Sequence, residues 1–291
     1  MRISNSEVGL DHPPFIVAEI SCSHMGNKAM AVRLIEVAAE AGADAVKLQL
    51  FSPADMAPDT GDYRFTLNAG PWKGRRLYDL YKEAATPLSW FPDLFAVAKE
   101  FGLTPFASVF SLDGVHYLEQ LKCPAYKIAS AEIGWTELLE VVRETGKPTL
   151  ISTGMAEQYE IDEAAAVMTH DNWMFMHCVS AYPTEIEHAA LWKMETYSSN
   201  DVGISDHSKG HMVPCMAVAL GACVIEKHLM LEHTDTLDKA FALTPNEFDR
   251  MTRMVHKSWR AMQDFSGVEE SSKGFKRRYY KEFDGWYRGA D

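Results

Sequence analysis

Eight short apolar runs, at 15–20, 45–50, 105–110, 125–130, 148–153, 173–179, 202–205 and 223–228, constrain this chain more than any other feature. Stretches of helical periodicity lie between them, at 29–40, 77–101, 115–121, 137–145 and 159–169, with a last one near 245–265. Continuous apolar runs read as strands buried on both faces, the condition of a parallel sheet covered by helices. Gly42, Gly102, Gly146 and Gly221 fall just after helical stretches, where a left-handed cap is expected. Eight such units predict an α/β fold, a closed (β/α)8 TIM barrel, in preference to an open doubly wound sheet. No Gly-x-Gly-x-x-Gly or Walker loop points to the open nucleotide-binding folds. A barrel takes about 250 residues, so residues 1–265 of the 291 are assigned to it. An irregular, aromatic-rich insertion at 52–72 interrupts the pattern. A basic, aromatic tail at 266–291 follows it and is expected to pack on the barrel or on a second subunit.

Lysine and arginine number 28 against 41 aspartates and glutamates, a net charge of −13. Such a chain has no general attraction for nucleic acid or for an anionic membrane surface. An anionic substrate must be drawn in by local lysines against the overall field. The cysteines, Cys22, Cys123, Cys178, Cys215 and Cys223, are odd in number and form no Cys-x-x-Cys. They read as reduced thiols and not as a disulfide framework. The first residues lack an apolar signal core, and no apolar run reaches the 18 residues of a membrane span. A soluble cytoplasmic protein is expected.

Chemistry in a barrel of this type gathers at the carboxyl ends of its strands. The side-chain period of two puts Lys47 with Gln49, Ser205 with His207, and Glu226 with His228 on shared faces. Lys127 and Ser130 do not alternate together, so reaching one pocket requires the strand to break near Ala129 or Ser130. Two imidazoles with nearby carboxylates can hold a divalent ion for Lewis-acid work, and manganese, iron and zinc all suit such a set. His207 and His228 are 21 residues apart, so no local ligand motif is present, and a hydrogen-bonded core role competes for each. Their position at consecutive strand ends, each beside an acid (Asp206, Glu226), favours the metal reading as much as the core one. His177, inside an apolar run, reads as structural. Lysine is costly to bury alone. Lys47 and Lys127 are therefore internal ion-pair partners, holders of a phosphate and a carboxylate, or Schiff-base nucleophiles. Ser108, Ser130, Ser152 and Ser205 can add hydroxyls to the same anion.

Several segments together resemble the sialic acid (nonulosonic acid) synthase family. They are Ile16-Val-Ala-Glu-Ile, Gly42-Ala-Asp-Ala-Val-Lys-Leu-Gln49, Tyr126-Lys-Ile-Ala-Ser130, Lys147-Pro-Thr-Leu-Ile-Ser-Thr-Gly-Met155, His177-Cys-Val-Ser-Ala-Tyr-Pro183, Ser205-Asp-His207 and Ile225-Glu-Lys-His228. Leu77-Tyr-Asp-Leu-Tyr-Lys and Asp238-Lys-Ala-Phe-Ala-Leu243 look most like its pseudaminic acid synthase branch. The resemblance implies condensation of phosphoenolpyruvate with an N-acetylated aminosugar, giving a nine-carbon 2-keto acid and phosphate. It implies His207 and His228 as metal ligands, with Mn2+ expected and Mg2+ or Co2+ as substitutes. It further implies Lys47, Ser108, Lys127, Ser130, Ser152, Ser180 and Ser205 around phosphoenolpyruvate. Gln49, Glu132, Tyr182 and Asp238 are implied near the aminosugar, and Glu19 and Glu226 near the metal and the reacting carbons. Relatives normally continue into an antifreeze-like domain that reaches over a partner subunit; this chain stops in the corresponding linker, and a homodimer stays an expectation. Two other readings stand beside this one. One is a sugar-phosphate acceptor, for which Lys73, Arg75 and Arg76 are the candidate cations. The other is a non-catalytic barrel that binds a sugar or a partner.

Overall fold

The computed structural model describes residues 1–199 and 201–263, together with the backbone of 277–280 and 285–288. The chain divides into two units, Met1–Trp259 and Arg260–Asp291. In the second, Arg277–Tyr280 pairs antiparallel with Gly285–Arg288. The expected packing of the 266–291 tail lies outside the described residues.

In the first unit eight parallel strands close into a barrel. They are β1 (Phe15–Glu19), β2 (Ala45–Leu50), β3 (Thr104–Val109), β4 (Tyr126–Ile128), β5 (Thr149–Ser152), β6 (Trp173–Cys178), β7 (Val202–Asp206) and β8 (Ala222–His228). They neighbour one another in chain order, and β8 closes the ring by pairing Val224 with Phe15 and His228 with Glu19. The fold is the (β/α)8 TIM barrel. Around it run α1 (Lys28–Glu40), α2 (Leu77–Ala84), α3 (Phe91–Glu100), α4 (Leu112–Gln120), α5 (Thr136–Glu144), α6 (Gln158–Val167), α7 (Met212–Ala219) and α8 (Pro245–Met262). Gly42, Gly102, Gly146 and Gly221 all take positive φ at helix ends, as their places in the sequence predict.

Two stretches depart from the simple alternation. The helical stretch at 77–101 is two helices, because Pro87 has no N–H to donate and pushes Thr86 away from helical backbone. The crossover from β6 to β7 has 3-10 turns, Ile186–His188 and Leu191–Thr196, in place of an α-helix. The 52–72 insertion leaves the carboxyl end of β2. Its first turn, Pro53–Met56, is held by a capping box between Ser52 and Asp55. Farther along, Trp72 Nε1 donates to the carbonyl of Leu237, 3.1 Å away in the loop after β8. The insertion is thereby drawn over the strand ends.

Alternation sorts each strand into two environments. On β2 the apolar Val46, Leu48 and Leu50 turn toward the helix layer and are buried there, while Lys47 and Gln49 turn inward. Inside the barrel the packing is tight. Gly203 sits between Met176 on β6 and Val224 on β8. A Cβ there would overlap the Met176 sulfur and lie 3.0 Å from Val224 Cβ. Overpacking a filled interior costs about 1–3 kcal/mol. Gly203→Ala should therefore lower the thermal midpoint in a melting experiment; an unchanged midpoint would show that the barrel floor has slack.

Candidate active site

The rim of the barrel assembles the site strand by strand. β1 brings Glu19, β2 brings Lys47 and Gln49, and β3 brings Ser108. Then come Lys127 on β4, Ser152 on β5, Ser205 on β7 and Glu226 with His228 on β8. Register sets Glu19 opposite Lys47, Ser108 between Gln49 and Lys127, and Ser205 opposite Glu226. β4 ends at Ile128 and turns into a 3-10 helix at Ser130–Glu132. That is the break needed for Ser130 to join Lys127. His207, just past β7, and the loops after β6 and β8, with Ser180, Tyr182 and Asp238, complete the ring. Fourteen of the fifteen residues singled out from the sequence line one cavity of about 450 Å³. Glu19, the fifteenth, is fully buried and pairs with Lys47.

The floor is a network of opposed charges with almost no access to water. The Lys47 ammonium pairs with Glu19, stands 3.5 Å from Glu226 Oε1 and donates to Ser108 Oγ at 2.9 Å. Lys127 donates to Ser152 Oγ at 2.6 Å and stands 4.0 Å from Glu226 Oε1. Ser205 donates to the same Glu226 oxygen at 2.8 Å. Burial alone would raise the Glu226 carboxyl; the ammoniums of Lys127 and Lys47, the Ser205 hydroxyl and His228 reverse this and hold it at about 2. Burial opposes the charge on Lys47, but attraction by Glu19 and Glu226 raises it above the ordinary lysine value. For Lys127 burial wins, with Lys47 repulsion adding to it, and its ammonium is weakened despite Glu226.

Each imidazole is oriented from behind. His207 Nδ1 donates to the carbonyl of Val179 at 3.0 Å, and His228 Nδ1 is 2.9 Å from Asp238 Oδ2. With Nδ1 engaged in both rings, the Nε2 lone pairs are the free ones, the usual arrangement of metal-binding histidine. The ring centroids are 5.4 Å apart, and Phe241 packs edge-on against both. Among the described residues no three His, Cys, Asp or Glu side chains already form a metal cluster. The donor set still fits a divalent ion. It has two oriented imidazoles and, beside His228, an ionised Glu226 whose buried Oε2 lacks a hydrogen-bond partner. Asp206, the other acid next to a histidine in sequence, points away from the cavity and pairs with Lys227 at 2.5 Å. His177 also faces outward, bonded to the Ala189 carbonyl at 2.7 Å and to Tyr197, a structural role.

Other lining residues gave no sign of themselves in the sequence. Cys178 Sγ lies 3.8 Å from His207 Nδ1. Trp72 packs on Tyr182 and Phe241, and Tyr182 in turn packs on His207 at 4.3 Å between ring centroids. No spacing rule links residue 72 to residue 241. Of the cations proposed for a phosphorylated acceptor, Lys73, Arg75 and Arg76, none lines the cavity; Arg75 pairs with Glu83 at 2.6 Å, and Arg76 with Asp59 and Asp79.

Residues 34–266 match the NeuB family. The pseudaminic acid synthase of Campylobacter jejuni subsp. jejuni serotype O:23/36 (strain 81-176) is 35% identical over 287 residues, covering 96% of this chain and 83% of the relative. That of Helicobacter pylori (strain ATCC 700392 / 26695) is 36% identical, covering 92% and 81%. The crystal structure of N-acetylneuraminic acid (sialic acid) synthetase from Leptospira borgpetersenii serovar Hardjo-bovis, in complex with citrate, superposes with a TM-score of 0.82. It is 27% identical, over 93% of this chain and 94% of that one.

Glu132 gives the cavity a pH response. Burial pushes its carboxyl from 4.5 up to about 7, against weaker opposition from a backbone hydrogen bond and Lys127. Between those values the folded chain keeps a proton that the unfolded chain has released, so this group's contribution to stability falls as pH rises. Glu132→Gln removes the titration. Melts between about pH 5 and 7.5 should then show a shallower loss of stability in the variant, by roughly 1–3 kcal/mol. Parallel curves for the two proteins would rule out a raised Glu132.

Proposed function

The chain belongs to the NeuB family, and on that premise we propose that it condenses phosphoenolpyruvate and water with an acetamido sugar, releasing phosphate and a nine-carbon 2-keto acid. The observation that carries this reading is the convergence of Lys47, Lys127 and Glu226 with two back-anchored imidazoles in one cavity, with Glu19 buried behind Lys47. Likeness to pseudaminic acid synthases over nearly the whole chain supports a product of that type, made from a 2,4-diacetamido-trideoxy hexose. No helix among the described residues is long and apolar enough to cross a membrane. With phosphoenolpyruvate as a substrate, we place the reaction in the cytoplasm.

The two lysines receive the carboxylate and phosphate of phosphoenolpyruvate, with Ser108 and Ser152, already their partners, at hand as further donors. Holding both ends of the anion lowers the entropy of bringing it to the aldehyde. A new bond forms from C3 of phosphoenolpyruvate to the aldehyde carbon, which leaves positive charge at C2. Glu226, with Glu19 held behind it on Lys47, stabilises that charge and accepts a proton from the water that adds there, a proton the new alkoxide takes up in turn. Collapse of the resulting tetrahedral carbon expels phosphate and leaves the ketone. A divalent ion held by His207 and His228, Mn2+ by preference with Mg2+ or Co2+ as alternatives, supplies Lewis-acid polarisation of the aldehyde when bound. Gln49, Tyr182 and Asp238 border the space where the sugar lies, and Asp238 also keeps His228 in its tautomer.

A phosphate-release assay with phosphoenolpyruvate, Mn2+ and a panel of acetamido sugars tests the reaction. His207→Ala and metal-stripped wild type should both lose activity by a factor of about 100 or more, with re-addition of metal restoring only the wild type. Full turnover in either would remove the metal from the scheme, and no turnover of any sugar by loaded wild type would remove the condensation itself.

A further inference from the structure

The cavity has two unlike halves. Its floor is charged, with Lys47, Lys127 and Glu226 each no more than 3% exposed. Its mouth is built by the insertion after β2, the start of α2 and the loop after β8, which contribute Met56, Leu67, Trp72, Leu77, Leu237 and Phe241. Among the described residues no lysine or arginine lines the cavity apart from Lys47 and Lys127. The arginines that follow Trp72 are turned into ion pairs with Glu83, Asp59 and Asp79. An acceptor whose aldehyde meets the imidazoles over a phosphoenolpyruvate held on the floor must point its far end at this mouth. Among the described residues a phosphate there would find no cation on the cavity wall, since Lys73, next to Trp72, lies outside it, in a chain of net charge −13. A hydroxymethyl group would lose water without gaining a partner from the aliphatic side chains.

We infer that Trp72 is an acceptor-selecting residue, latched to the Leu237 carbonyl so that its indole closes an apolar compartment for a methyl-terminated, acylated sugar. The latch is the 3.1 Å bond from Nε1 to that carbonyl. The indole ring packs tilted against Tyr182 at 5.8 Å and edge-on against Phe241 at 6.5 Å between centroids, the two rings that also flank the imidazoles. Trp72 thus joins the wall of the acceptor space to the rings that pack on His207 and His228. It acts on the acceptor and leaves the anion on the floor alone. The inference rests on the condensation reading and adds to it the residue that chooses the sugar.

The test is phosphate release by wild type, Trp72→Ala and Trp72→Phe with three N-acetylated acceptors that differ only at the terminal carbon: methyl, hydroxymethyl and phosphorylated hydroxymethyl. Wild type should prefer the methyl over the hydroxymethyl acceptor by about 10- to 100-fold in kcat/KM, the range an apolar pocket can reach against an added hydroxyl. Its discrimination against the phosphate should be larger. Trp72→Ala should raise the acceptor KM about tenfold or more, leave the phosphoenolpyruvate KM within about twofold, and bring the methyl-to-hydroxymethyl ratio toward one. Trp72→Phe keeps an apolar ring and loses the latch, so it should keep most of the ratio with a higher acceptor KM. A purely structural tryptophan would scale all three acceptors alike, and that result, in whichever variant folds, overturns the inference. Equal use of all three by wild type overturns it too, while leaving the condensation intact. Failure of every acceptor in wild type is the separate outcome that overturns both.

Discussion

Everything at the rim depends on two lysines and two glutamates that neutralise one another out of reach of water. Removing one member would strand a buried charge, and the penalty for that is several kcal/mol. The network is therefore held as a unit. It is also asymmetric. Glu226 takes Ser205 and both ammoniums on one oxygen and leaves the other without a hydrogen bond, while Lys127 stays the less satisfied cation. A site with a spare carboxylate oxygen and an under-neutralised ammonium is ready for ligands, and it holds that state only because β1, β2, β4 and β8 are rigid and adjacent in the ring or across it.

Around this floor the barrel uses each strand twice. One face packs apolar side chains against the helices, and the other delivers a functional group at the rim. Asp206 at the end of β7 with His207 just past it, and Glu226, Lys227 and His228 on β8, show the division. Glu226 and His228 enter the cavity, while Lys227 goes outward to meet Asp206. The outer ion pair ties β7 to β8 from behind, and the inner residues are oriented from the same two strands. Structural and chemical charges thus occupy neighbouring positions without competing, because the pleat separates them.

The mouth follows different rules from the floor. Its residues come from long connections, the insertion after β2 and the loop after β8, which meet through a single indole hydrogen bond and a set of aromatic contacts. Loops carry specificity on a scaffold whose strand ends carry chemistry. On the proposed reading the mouth selects the sugar through side chains such as Trp72, while the floor serves the reaction.

The amino-acid order by itself determined the architecture and most of the floor. The eight continuous apolar runs admit parallel strands and little else, and a period of two puts Lys47 with Gln49, Ser205 with His207, and Glu226 with His228 on shared faces without any coordinates. It also required a break near Ala129 or Ser130 if Ser130 was to share a pocket with Lys127. What it left open was long-range. Whether Lys47 serves as an ion-pair partner or as an anion holder could not be read from residue 47, because Glu19 and Glu226 reach it only when the ring closes. That Arg75 and Arg76 are spent on acids, that Cys178 lies against His207, and that Trp72 meets Leu237 are facts of tertiary structure. They join positions far apart in the chain through contacts that no local periodicity encodes, and only the closed barrel brings those positions within bonding distance.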